Sequence, residues 1–171
     1  MNQFDKMNRV QKRISRSLCL QIYYAWVMSQ THPKELLDYM KCLLEDKEII
    51  DNFYINGSPI DNSQSILDDN IIKYAYRLIE STINQSDVID KFISTKLKNW
   101  DLKRIALIDK LILRLSITEM FFFDEIPPKV SIVEGVEIGK IFGNNDSSAF
   151  INGVLDSIYN DFKKNKVVKT K

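Results

Sequence analysis

The chain has 171 residues, of which 44% are hydrophobic and 11% aromatic. This length and composition suffice for one domain with a hydrophobic core, and they exclude disorder of the whole chain. Its 24 Lys/Arg and 23 Asp/Glu nearly cancel, but residues 1–16 hold five basic residues and one acidic, and residues 163–171 hold five and none. Such segregation favours attraction to polyanions. Apolar runs such as Met120–Phe123 are too short to span a bilayer, and the polar start lacks the apolar segment of a signal peptide. We therefore expect a cytoplasmic protein without a membrane partner.

Helical periodicity, with only five Gly and four Pro, predicts an all-α fold, a single-domain bundle of about seven helices. The predicted helices cover about residues 7–29, 31–46, 68–83, 86–98, 101–123, 130–142 and 146–162. The stretch 47–66, with Asn56-Gly57 and Ser58-Pro59, is predicted to be the one long loop. We expect residues 1–162 to form the domain and the Lys-rich residues 163–171 to form a disordered tail.

Candidate catalytic and metal-ligating residues are few. Cys19 and Cys42 are 23 residues apart without a CxxC motif, which favours free thiols over a disulfide or a metal site. The one histidine, His32, precedes Pro33 and is typical of a surface turn. The sequence has no P-loop, GxGxxG, GxSxG or HExxH motif. We therefore expect no enzymatic activity, no cofactor and no metal.

A basic stripe defines the start of the first predicted helix. Arg9, Lys12, Arg13 and Arg16 are spaced by three, one and three residues, which puts all four on one helical face. Past Arg16 the helix is apolar nearly all round, which is typical of a central helix in a bundle. The pattern therefore indicates a helix with a buried far end and a cationic near end. A solvated face that keeps the protein soluble is the alternative reading of the same pattern.

Three blocks of sequence are distinctive, and they are Arg16–Tyr24 (RSLCLQIYY), Trp100–Arg114 (WDLKRIALIDKLILR) followed by Glu119, and Phe150–Asp156 (FINGVLD). All three resemble the NusB family. Between them, Ile126–Val130 matches the family's Pro-containing turn, and Glu134 and Glu137 match the acidic positions of its sixth helix. The resemblance extends over about residues 9–162 in the family's order.

The resemblance implies a seven-helix RNA-binding protein of the bacterial transcription antitermination machinery. Such proteins pair with the ribosomal protein NusE, bind the single-stranded boxA element of nascent ribosomal RNA, and help RNA polymerase to resist termination. Family members contact RNA through the first helix and the start of the last, and NusE partly through the fifth. By position, the implied RNA contacts are Arg9, Lys12, Arg13, Arg16, Asp146, Ser147 and Phe150, and the implied NusE contacts are Asp109 and Lys110.

Several of these residues also have a purely structural interpretation. Asp146 stands where an N-cap is expected. Phe150 and its neighbour Ile151 are both apolar, so the pattern fits either residue to the core and leaves open whether Phe150 is buried or contacts a ligand. Gly153, which is costly inside a helix, is expected to mark a close approach of another helix. The neighbouring Ala149 lacks the basic side chain that some relatives carry there.

Other positions are expected to be structural. Arg104, Arg114 and Glu119 are predicted to form ion pairs within the fold. Gly135 and Gly139 in the sixth helix favour either tight packing or a softer helix. The alternative for the whole chain is a helical protein-interaction scaffold with weak or nonspecific RNA binding. Self-association, including a homodimer, is left open by the sequence.

Overall fold

The computed structural model describes residues 7–43, 54–55, 58–59, 69–97 and 104–169, and these residues confirm the all-α class. They form α1 (Arg9–Ser29), α2 (Pro33–Leu43), α3 (Asp69–Asn84), α4 (Ser86–Ser94), α5 (Leu107–Phe122), α6 (Pro128–Phe142) and α7 (Ser147–Lys169). A minimal antiparallel pair, β1 (Tyr54–Ile55) and β2 (Ser58–Pro59), aligns Tyr54 with Pro59 within the predicted loop 47–66, whose other residues lie outside the described ranges. None of the described helices is long and apolar enough to cross a membrane.

The chain divides into two compact units, Met1–Glu80 and Ser81–Lys171, with the boundary inside α3. Each unit is described by itself. The first contains α1, α2, the strand pair and most of α3, and its α1 packs against α2. The second contains the end of α3 and α4 to α7. The expected domain over residues 1–162 and the tail over 163–171 remain predictions.

In the first unit, α1 is buried along its middle. Ser15, Arg16, Ser17, Leu18, Cys19 and Leu20 are six consecutive buried residues. Because six residues turn through more than one and a half turns of an α-helix, the helix is covered on every side there. The predicted burial past Arg16 is confirmed as far as Tyr23, and it includes the predicted free thiol of Cys19. The prediction of a buried far end is wrong, because Tyr24 and Met28 in the last turns of α1 are exposed.

In the second unit, α6 packs closely against both α5 and α7. A Cβ added at Gly135 would overlap the Ser116 hydroxyl of α5, and one added at Gly139 would lie 2.7 Å from Ile151 Cδ1 of α7. Neither helix pair leaves room for a side chain at these positions. Of the two interpretations of these glycines, the structure supports tight packing.

The predicted structural role of Arg114 is confirmed. Its guanidinium donates two hydrogen bonds to Asp90 of α4, from Nε to Oδ1 at 2.8 Å and from Nη2 to Oδ2 at 2.6 Å. Glu119 is buried and accepts a hydrogen bond from Ser131 Oγ of α6 at 2.7 Å. The polar side chains of α5 therefore help to join it to both neighbours.

Two predicted helix ends are wrong by several residues. The fourth helix ends at Ser94 rather than near residue 98. There the backbone changes to i→i−3 hydrogen bonds, from Lys96 N–H to the Ile93 carbonyl at 2.9 Å and from Leu97 N–H to the Ser94 carbonyl at 3.3 Å. The fifth helix begins at Leu107, because Ala106 has non-helical backbone angles (φ −53°, ψ 136°). The predicted N-cap, Asp101, lies outside the described residues.

Two other helices extend beyond their predicted ends. The sixth helix begins at Pro128, since proline suits the first helical position, where its missing N–H has no acceptor to lose. The seventh continues to Lys169, past the predicted end at Phe162. No Gly or Pro follows Gly153 in the sequence, so no strong helix breaker stops it.

His32 has the predicted surface position. It is exposed and directly precedes α2. Its Nδ1 accepts a hydrogen bond from the Lys34 backbone N–H at 3.3 Å, and its carbonyl accepts one from Leu36 N–H at 3.2 Å. The side chain therefore helps to cap α2.

Candidate RNA-binding surface

The cationic end of α1 is held by a reciprocal cap. Asn8 Oδ1 accepts a hydrogen bond from the Gln11 backbone N–H at 2.9 Å, while Gln11 Oε1 accepts one from the Asn8 N–H at 3.0 Å. The helix therefore begins at Arg9, and the basic side chains project from regular helix. Arg9 is exposed, and Lys12 and Arg13 are half-buried. These three cations form the accessible part of the predicted stripe.

Arg16 differs from the other members of the stripe, because it is only 5% exposed. It points from the same helical face but lies one turn deeper, within the segment that is covered on every side. Helical periodicity gives the face of a residue, not its depth along the axis, so the sequence pattern could not separate Arg16 from the rest. Contact of Arg16 with RNA remains a prediction, and the structure gives it a place in the buried part of α1.

The start of α7 is capped by Asn144 rather than by Asp146, which corrects the expected role of Asp146. Asn144 Oδ1 accepts hydrogen bonds from the backbone N–H groups of Asp146 at 2.9 Å and Ser147 at 3.1 Å. Ser147 Oγ in turn accepts one from Asn144 N–H at 2.9 Å. The Asn-x-x-Ser spacing is the sequence signal that could have located this cap.

The cap leaves Asp146 and Ser147 in different positions. Asp146 is exposed, and its carboxylate makes no hydrogen bond among the described residues. Ser147 is 1% exposed and its hydroxyl belongs to the cap. Asp146 is therefore open to an external ligand, whereas Ser147 stabilises the turn from which α7 begins; RNA contact by Ser147 remains a prediction.

Phe150 and Ile151, which the sequence could not distinguish, lie in different environments. Ile151 is fully buried, whereas Phe150 is half-buried. Phe150 lines a groove of about 430 Å³ between the end of α4 and the first half of α7. The groove residues are Lys96, Leu97, Ala149, Phe150, Gly153, Val154 and Ser157.

Gly153 does not mark a close helix approach, so that expectation is wrong. The residue is exposed, and a Cβ added to it would have no neighbouring heavy atom within 4 Å. It lines the groove instead. The helical pattern shows that a glycine is present, but only the packing of the second unit shows which side of α7 it opens to.

Lys96 is a groove residue that the sequence analysis missed. It follows α4 and reaches α7, where its Nζ donates a hydrogen bond to Asp161 Oδ2. The Lys96 side chain is 13% exposed and that of Asp161 is 57% exposed. This hydrogen bond, together with the positive charges of Lys96 and Lys164, holds the pKa of the Asp161 carboxyl below its ordinary value of 3.8. No local motif marks Lys96, because tertiary packing brings it to α7.

The residues expected to contact a protein partner lie in the first turn of α5. Asp109 is 6% exposed, and its Oδ1 has no hydrogen-bond partner among the described residues. The adjacent Lys110 is half-buried. A buried carboxylate oxygen without a donor carries a desolvation cost, so a donor supplied from outside would offset it. The role of Asp109 and Lys110 in partner binding remains a prediction.

The candidate RNA contacts are divided between the two units. Arg9, Lys12, Arg13 and Arg16 belong to the first, and Asp146, Ser147 and Phe150 to the second. Within the described ranges, no group of three or more His, Cys, Asp or Glu residues could hold a metal ion. The arrangement offers cations for phosphates and an aromatic groove wall for a base.

Comparison with known proteins agrees with this architecture. Residues 13–160 match the model of the NusB family. The chain is 33% identical over 149 residues to the transcription antitermination protein NusB of Clostridium tetani (strain Massachusetts / E88), covering 87% of this chain and 97% of that relative.

Solved structures share the fold. T. maritima NusB superimposes with a TM-score of 0.64 at 26% identity, over 89% of this chain and 92% of that one. A chain from a crystal structure of the antitermination factors NusB and NusE in complex with dsRNA gives a TM-score of 0.66 at 22% identity, over 90% and 99%. At that identity the second match shows the fold alone. With the family match over residues 13–160 and the C. tetani relative aligned over almost its whole length, this chain belongs to the NusB family.

Proposed function

We propose that this chain is a transcription antitermination factor that binds boxA single-stranded RNA in nascent ribosomal transcripts together with the ribosomal protein NusE. The observation that carries the proposal is the accessible cationic end of α1, with Arg9, Lys12 and Arg13 on one face, in a member of the NusB family. Cations hold RNA phosphates, and an aromatic side chain such as Phe150 can stack on an unpaired base. The role is one of binding rather than catalysis, in the cytoplasm, as part of the RNA polymerase antitermination complex.

Asp109 is the proposed centre of the NusE contact. Its buried, unpartnered carboxylate oxygen suits a basic or N–H donor from the partner. Lys110 beside it has a supporting role. The C. tetani relative is named a transcription antitermination protein, which supports the antitermination role.

RNA competition tests the proposal. The chain, with NusE from the same organism, should bind a short boxA strand more tightly than a scrambled strand of equal composition. If the three accessible cations each contact a phosphate, the slope of log K against log salt should be about −2 for a single strand. Equal affinity for the two strands at every salt concentration would contradict sequence-specific binding.

Two variants separate the RNA surface from the partner surface. The double variant Lys12→Gln/Arg13→Gln should weaken RNA binding without loss of helicity and leave NusE pairing intact, with the exposed Lys34→Gln of α2 as the matched control. Asp109→Asn, which removes the charge of this buried side chain but keeps its size, should impair NusE pairing first. Arg16 is left unchanged, because loss of a long buried side chain would confuse a binding defect with a folding defect. Exchanged phenotypes would refute the assignment of the two surfaces.

The scaffold alternative predicts self-association. Val10 and Met28 of α1 are 60% and 63% exposed, but they lie 18 residues and therefore about 27 Å apart along the helix, so they do not form one contiguous apolar patch. Two results together would favour this second function. Sedimentation equilibrium should show a tight dimer, and the RNA competition should show equal binding of the boxA and scrambled strands.

A further inference from the structure

The groove between α4 and α7 has the size and the wall chemistry of a ligand site. Its volume of about 430 Å³ falls within the range of about 300–1,000 Å³ for small-molecule pockets. From Ala149 to Ser157 it follows one side of α7 for about 12 Å, given the rise of an α-helix. One end has an aromatic ring, the middle has bare backbone at Gly153, and the α4 wall has the ammonium-bearing side chain of Lys96. These groups suit a flat ring joined to an anion.

Gly153 has no packing reason to be glycine. No heavy atom lies within 4 Å of the Cβ it lacks, so alanine would fit the folded chain. Alanine would also make a better helix, since glycine is the poorest helix former after proline. The missing side chain does, however, keep the groove open beside Phe150. A residue that weakens its helix and leaves space in a groove points to a bound ligand.

Lys96 faces the groove but is paired within the chain. Its ammonium group donates to Asp161, whose side chain is more than half exposed. An exposed carboxylate is a weak partner because water competes with it. An RNA phosphodiester carries one negative charge and two unesterified oxygens, as the Asp161 carboxylate does, so a phosphate held in the groove by a stacked base can compete with Asp161 for Lys96.

We propose that this groove holds one nucleotide of a single-stranded RNA, with the base against Phe150 and over Gly153, and the phosphate on Lys96 in exchange for Asp161. The proposal rests on the proposed RNA-binding function. It adds Lys96 and Gly153 as RNA-contacting residues and Asp161 as a carboxylate that competes with the RNA. The site lies wholly in the second unit.

The variant Gly153→Ala tests the open space. It should raise the thermal unfolding temperature, because alanine favours helix, and weaken binding of the boxA strand roughly fivefold, at the low end for loss of one base–aromatic stack. The matched control is Asn152→Ala, which changes the adjacent exposed position outside the groove. Asn152→Ala should unfold at a higher temperature than the wild type and bind RNA with the same affinity. Unchanged RNA affinity in Gly153→Ala would overturn the placement of the base.

Two charge variants test the exchange at Lys96. Lys96→Met keeps the aliphatic stem, and it should weaken boxA binding about tenfold and reduce the salt slope by about 0.7, the value for one phosphate on a single strand. Asp161→Asn should strengthen binding by more than Asp156→Asn, which removes the same charge from an exposed position of α7 outside the groove. The exposed Lys91→Met of α4 is the control for Lys96. If Lys96→Met matches Lys91→Met, the phosphate does not bind at Lys96.

Failure of this inference differs from failure of the proposed function. If the wild type prefers boxA and loses affinity through Lys12→Gln/Arg13→Gln, while Gly153→Ala and Lys96→Met bind like their controls, only the groove assignment is refuted. If the wild type shows no preference between boxA and the scrambled strand, the proposed function is refuted with it.

Discussion

Asn144 Oδ1 accepts a hydrogen bond from the backbone N–H of Asp146 at 2.9 Å, so the cap of α7 stands two residues before the acid that the sequence suggested. We expect Asn144→Ala to lower the free energy of unfolding by about 1 kcal/mol, the usual effect of losing an N-cap side chain. Urea denaturation followed by circular dichroism measures the change. Asn145→Ala, at the exposed neighbouring position, should alter stability much less; equal losses would place the cap elsewhere.

The paired hydrogen bonds between Arg114 and Asp90 predict a second stability effect. Their side chains are 16% and 27% exposed, so solvent screens the pair only in part. Asp90→Ala should lower the free energy of unfolding by about 1.5 kcal/mol, the low end for hydrogen bonds to charged groups. Glu137→Ala, which breaks the exposed pair with Lys140, should lower it by less than about 0.5 kcal/mol. Similar losses in the two variants would mean that the Arg114 pair adds little.

The contact of Gly135 with Ser116 predicts an overpacking effect between α5 and α6. Gly135→Ala should lower the free energy of unfolding, because the new methyl group overlaps the Ser116 hydroxyl at a cost of about 1–3 kcal/mol, of which the better helix propensity of alanine offsets about 1 kcal/mol. Removing that hydroxyl in Gly135→Ala/Ser116→Ala should recover part of the loss. A double-mutant cycle gives the coupling between the two positions, and strict additivity would show that the helices do not approach so closely there.

The hydrogen bond from Lys96 predicts a pH effect at Asp161. The pKa of this carboxyl is lowered in the folded chain, so the pair stabilises the fold above the ordinary value of 3.8 and the stabilisation is lost as the pH falls through the lowered pKa. Carboxyl carbon shifts followed by NMR should show the pKa of Asp161 returning toward its ordinary value in Lys96→Met. An Asp161 titration that is the same in both proteins would exclude the pair in solution.

The sequence predicted the all-α class well because helical periodicity dominates it and glycine and proline are scarce. It placed the ends less well. At the end of α4 the backbone changes to i→i−3 hydrogen bonds, from Lys96 N–H to the Ile93 carbonyl and from Leu97 N–H to the Ser94 carbonyl, and no Gly or Pro marks that change in the sequence. At Ala106 the backbone leaves the helical region within an apolar stretch that reads as helix.

The candidate site was predicted in part. The cationic start of α1 follows from spacing alone, and Phe150 follows from the family resemblance. The burial of Arg16, the open side of Gly153 and the position of Lys96 depend on which elements pack against each other. These are tertiary properties, so no pattern within one helix contains them.

The covered middle of α1 sets a condition on any RNA that binds at its end. Between Ser15 and Leu20 the helix has neighbours on every side, so its axis and rotation are fixed within the fold. The backbone positions of Arg9, Lys12 and Arg13 are therefore fixed before a ligand arrives, and only side-chain freedom remains to be lost on binding. The distances between the Cα atoms of these three cations are therefore constant, and the flexible RNA strand must adapt its own backbone to them.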